Sequence, residues 1–269
     1  TNTVSVGTIG TNAANDNIND VTFTATDSDI TLNGGIFTGD NGGDDGTVVF
    51  NDQVQLNANV VIDSTDSGGG NDGDIQFFDH VDADNAADNH TLTFTAGGGN
   101  VDFGTGVNLG TGDAGGGAIE SLIVTSANDV DLQNVDTRDG GINITASNAI
   151  NLQGTSISTI DQTTAGAVVF SGPVVLANGV TVNTDTTTDA TVTFNNTINA
   201  DNSTTGDRTL TVTAGTSTAT FAGVIGGGAN GQLADFDVTA ATINLNGGTI
   251  QLDDDDAALA TATLTGAVV

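Results

Sequence analysis

Oxygen-rich turns are where residue type and spacing in this sequence suit chemistry. In GGGNDGD, residues 68–74, and in DADNAADN, residues 82–89, several carboxylate and amide oxygens fall within one loop. Calcium requires such a ligand set, six to eight oxygens on a flexible backbone. Asp72 and Asp74 in the first loop and Asp82 and Asp84 in the second are the candidate metal ligands, and calcium is the one cofactor they suggest. A further acidic run covers Asp253 to Asp256. The competing reading of all three is a solvated polar turn, the usual fate of a charge run.

The other chemical constellations are weaker. His80 and His90, the two histidines, flank an acidic turn, but zinc would need further nitrogen or sulfur ligands. GxSxG, P-loop and dinucleotide fingerprints are absent, although glycine is abundant. Paired carboxylates for glycoside hydrolysis are guaranteed by chance among 34 acidic residues, while the Trp and Tyr platforms that line sugar clefts do not occur. The chain is therefore read as a non-enzyme, with a carbohydrate-active β-helix enzyme as the distant alternative. The TxT pairs at Thr91/Thr93, Thr191/Thr193 and Thr209/Thr211 would suit an ice-binding array only if they stacked on one flat face.

Composition narrows the partners. Thirty-four Asp and Glu against two arginines, Arg138 and Arg208, leave a formal net charge of -32. Nucleic acid and anionic membrane surfaces both need a basic patch, and two isolated arginines do not make one. Cysteine, methionine, lysine, tryptophan and tyrosine are all missing, so neither disulfides nor thiolate metal sites arise. Leu, Ile, Val and Phe make up about a quarter of the chain, above the roughly one-fifth level at which charged sequences stay disordered. No apolar stretch reaches the roughly 18 residues of a membrane-spanning helix, and the N-terminus lacks signal-peptide features.

What positions the turns is a repeat. ITLNGGIFT (30–38) returns as INLNGGTIQ (243–251), and GTVVFNDQVQL (46–56) returns as GAVVFSGPVVL (166–176). Phe50 to Phe170 sets the offset, 170 − 50 = 120, while TLTFTAG from Thr91 and TLTVTAG from Thr209 are 118 apart. This divides the chain into a partial module (1–45), a first full module (46–165), a second module (166–258) and the start of another (259–269). Within modules the period is two, as in TVTF (191–194), so the elements are half-buried strands. Gly/Asn/Asp clusters separate them, and no segment reads as a helix. Short strands in a long tandem array, almost without proline and with few aromatics, predict an all-β parallel β-solenoid, a β-helix of tandem repeats, over a string of sandwiches.

The phrases GTVVFNDQVQL, TLTFTAGGGNVDFG, LIVTSANDVDLQ and INLNGGTIQ resemble the β-strand repeat regions of filamentous-haemagglutinin-like large exoproteins and bacterial surface adhesins. That resemblance covers nearly the whole chain and implies secretion, exposure at the bacterial cell surface, and a rod that spaces a binding tip from the membrane. It transfers no functional residue. The expectation is a structural segment of an extracellular adhesin or surface filament, self-associating end to end as a homopolymer or continuing covalently into more repeats. An S-layer or matrix protein cross-linked by calcium is the alternative. Asn ladders are expected to lock neighbouring coils in register.

Overall fold

The computed structural model describes residues 3–11, 18–25, 28–38, 46–65, 72–85, 89–111, 117–160, 162–204, 207–253 and 260–269. It is an all-β parallel solenoid of about nine turns; among the described residues there is no helix, and hence none long and apolar enough to cross a membrane. Strands of typically three to five residues place alternate Val, Ile, Leu and Phe side chains inward, because β-branched and aromatic residues fit a pleated, half-buried surface.

Each turn has three sides. On the first, the inward row starts Val4, Ile30, Val54, Val81 and continues through Leu109, Val135, Ile157 and Val182 to Val212, Val238 and Leu264. On the second, Ile36, Ile62, Phe94, Val124 and Ile144 lead to Phe170, Phe194, Phe221 and Leu245. On the third, Val21, Val48, Ile75, Val101, Val130 and Ile150 lead to Val174, Ile198, Ile225 and Ile250. Strands Val135–Thr145, Thr209–Phe221 and Asp235–Leu245 run from the first side onto the second without a break. The first and second sides therefore merge over much of the rod into one 12-stranded sheet, beside an 8-stranded third side and a 4-stranded lower first side.

The core is a set of side-chain columns. Phe23, Phe50, Phe77 and Phe103 stack on the third side with ring centroids 4.9, 4.7 and 4.9 Å apart, the spacing that neighbouring strands impose. Phe94 crosses from the second side and meets Phe77 and Phe103 edge-on at 5.7 and 5.9 Å. A second run on the second side joins Phe170 to Phe194 at 5.2 Å and Phe194 to Phe221 at 5.4 Å.

Corners follow a simple chemistry. Where the chain turns at once into the next strand, the buried corner residue is alanine, as at Ala96, Ala146, Ala214 and Ala240. Where it leaves on a longer excursion, the root is a buried hydroxyl that holds the returning backbone. Ser64 donates to the Gly73 carbonyl at 2.6 Å, Thr159 to Gly166 at 2.7 Å and Thr184 to Ala190 at 2.6 Å, while Thr38 bonds Gly46 in the same way. Such a bond satisfies a carbonyl that would otherwise sit in the core without a donor. Gly110 and Gly226 solve a different problem. Their φ angles are +65° and +74°, and a Cβ would lie 2.1 and 2.0 Å from the carbonyl oxygens of Asp136 and Gln251. Only glycine leaves a ladder so sharply there.

The sequence repeat does not map onto equivalent sides. Phe50 and Phe170 are both fully buried, yet Phe50 lies on the third side and Phe170 on the second. Likewise Ile30 stands on the first side and Ile243 on the second. From Phe50 the chain lays down fourteen further sides to reach Phe170, which is four turns and two sides.

Candidate functional site

The calcium candidates are dispersed. The Asp72 carboxylate accepts the Gly98 amide at 2.6 Å and Asp74 accepts that of Asn100 at 2.7 Å, so both pin the turn above them. Asp82 lies within strand Val81–Ala83 on the first side, fully buried and in register with Gln55. Asp84 follows that strand, with its Oδ1 3.8 Å from His90 Nε2. Among the described residues no group of three or more His, Asp or Glu side chains converges to hold a metal ion. Residues 68–71, 86–88 and 254–256 of the proposed acidic turns lie outside the described residues.

The histidines occupy different corners. His80 precedes the first side, where its Nδ1 accepts the Asn108 amide at 3.1 Å. His90 precedes the second side, and its carbonyl accepts the Glu120 amide at 2.9 Å. The TxT pairs also separate. Thr91/Thr93 and Thr191/Thr193 stand on the second side, but Thr209/Thr211 belong to the first, beside Val180 and Thr181.

One cluster was not legible beforehand. Glu120, the sole glutamate, sits at a bulge where its carboxyl is held above the usual range by burial and then by the neighbouring Asp139, against the lowering effect of Arg138. Gly140 packs on it, since a Cβ there would lie 2.8 Å from the Glu120 carbonyl oxygen. A cavity of about 260 Å³ lies elsewhere, between the second and third sides at the last turns, lined by Phe221, Ile225, Leu245 and Ile250 together with glycines and Thr249. It contains no charged group.

What the polar side chains do repeatedly is bind turn to turn. Asn57 Nδ2 donates to Asn33 Oδ1 at 2.6 Å, and Asn33 Nδ2 to Ser5 Oγ at 3.0 Å. Asn128 donates to Asn100 and Asn134 to Asn108, each at 3.1 Å, and Gln133 to Gln153 at 2.9 Å. Asn134 Oδ1 also accepts the amides of Thr155 and Ser156 at 2.8 and 3.0 Å. An amide both donates and accepts, so it extends a column without a charge. Arg208 makes a local bond instead, bidentate to Asp201 at 2.7 and 3.1 Å, and holds that carboxyl below its usual range. Comparison with protein-family models, with curated proteins and with solved structures gives no match for this chain.

Proposed function

We propose that this chain is a structural repeat segment of an extracellular bacterial adhesin or surface filament, whose work is to be a stiff, acidic rod. One observation carries the reading: parallel ladders climb all three sides through about nine turns, closed by side-chain columns. Every turn contacts only its neighbours, so rigidity along the axis comes from repeated backbone bonds and stacked rings rather than from a central core. The strand phrases that resemble large exoproteins support this reading, as does a surface so acidic that rods repel one another in dilute salt.

The rod lengthens by adding coils. Among the described residues, strand Val4–Val6 is paired on one edge, to Ile30–Leu32, and strand Thr261–Val268 is paired on one edge, to Asp235–Leu245. A bare parallel edge recruits further strands. Those strands come from a second copy stacked head to tail or from the same polypeptide carried onward.

Electron microscopy of the purified chain is the test. Straight rods, or filaments that shorten when Thr261–Val268 is deleted, support the reading. Compact particles, or cleavage of a polysaccharide substrate, would sink it. The mass of the natural polypeptide separates covalent continuation from stacked copies.

A further inference from the structure

We propose that the second side is a lateral interface on which two copies of this chain pack face to face, bundling rods sideways in addition to any growth at their ends. The three sides differ in charge. The ladders of the third side point Asp102, Asp129 and Asp131 outward, and those of the first point Asp136, Asp235 and Asp237. On the second side the outward positions from Thr93 through Ile123, Asn143, Val169 and Thr193 to Thr220 and Asn244 carry no charge. Their flanking positions, such as Thr95, Thr145 and Ser171, are also neutral; Asp63, one turn below Thr95, is the ladder acid of that side. Glu120 stands at the corner bulge and not in the register.

In a body of net charge -32 the neutral outward runs of the other sides are short, Asn151, Val175 and Asn199 on the third and Ser156, Thr181 and Thr211 on the first, so a second copy approaching sideways meets least repulsion across the longer strip. Like charges opposed at an interface are strongly unfavourable, so the neutral side selects itself as the contact. The strip's size sets the strength. Seven strands at about 4.8 Å and three to five residues at about 3.3 Å give roughly 34 by 10–17 Å, or about 700–1,100 Å² over both partners. That falls below the roughly 1,200–2,000 Å² of stable specific pairs and in the range of weak, transient ones, so the dimer is weak and forms once salt screens the flanks. Val169 is the middle of the seven outward positions. A two-fold axis through it sets Asn143 against Thr193 and Ile123 against Thr220, the self-complementary arrangement that closes a pair.

Small-angle scattering and sedimentation are read on the whole chain at about 100 µM, from low salt to about 1 M sodium chloride, where the Debye length falls to about 3 Å. The expected result is a doubled cross-section at unchanged length. Val169→Asp abolishes the doubling while leaving the melting curve intact, whereas Val175→Asp, outward on the third side, does not. The chain has no cysteine, so Val169→Cys coupled by a bis-maleimide spanning the about 10 Å between packed sheets yields a covalent dimer, and Val175→Cys does not. A monomer at high salt, growth in length without growth in width, equal coupling at both cysteines, or a monomer that instead adsorbs to ice overturns the proposal. Because width and length are read separately, failure here leaves the end-to-end reading standing.

Discussion

Phe77 is the hub of the lower core, and its replacement by leucine isolates what stacked rings contribute. It is 1 % exposed and meets Phe50 at 4.7 Å, Phe103 at 4.9 Å and Phe94 at 5.7 Å. Leucine keeps most of the apolar burial but removes three ring pairs, each worth about 0.5–1.5 kcal/mol beyond area, so Phe77→Leu loses about 1.5–4.5 kcal/mol. Phe170 is the internal control: it is equally buried, but its ring contact is with Phe194 alone, tilted by 36° at 5.2 Å, with Ile144 on its other flank. Phe170→Leu loses about 0.5–1.5 kcal/mol on the same scale. Urea titration by circular dichroism gives the ranking. Native-state amide exchange then locates the loss, because coils couple only to neighbours and the strands around Phe50, Phe77 and Phe103 open first. An equal or larger effect at Phe170 would refute the claim that ring columns, and not apolar volume alone, hold the lower turns.

Thr159→Val keeps the shape of the corner but leaves the Gly166 carbonyl without its donor, so local opening becomes easier by about 1–3 kcal/mol; proteolysis within 160–165 quickens, or the hydroxyl is idle. Burial, then Asp131 and Asp74, hold the Asp102 carboxyl above its ordinary 3.8. The folded chain therefore binds that proton more tightly than the unfolded one, and ionised Asp102 subtracts stability that returns as pH falls through the folded pKa towards 3.8. Asp102→Asn raises the melting temperature at pH 7 and shrinks the gain in acid; an unchanged pH profile argues against it. Sodium chloride raises the melting temperature by screening 34 acidic groups, and a further rise in calcium over magnesium at equal ionic strength would show specific calcium binding beyond screening.

The period-two phrases were legible because alternation is a local property. Val192 and Phe194 point inward and Thr193 outward, as TVTF requires. The side each strand occupies was not legible, since Val, Ile and Phe look alike on all three walls. Turn length also varies, with 27 residues from Phe50 to Phe77 but 20 from Val130 to Ile150, so no single coil period stands out. The corner hydroxyls were hidden for a related reason. Threonine is everywhere, and Thr159 differs from an outward threonine only by preceding a loop that returns through Gly166. Asn ladders could be anticipated as a class, but which amides meet, as Asn134 and Asn108 do, depends on the varying turn lengths.

Fourteen sides between matching phrases leave two sides over after four full turns. A mark repeated once per such module would advance about 22 Å along the axis while swinging by a third of the circumference, like leaves set spirally on a stem. A flat neighbour would touch every third mark, spaced about 67 Å apart, whereas a soft neighbour able to wrap the shaft would reach them all. The remainder of one division thus decides whether repetition along a rod becomes repetition along a line or around a screw.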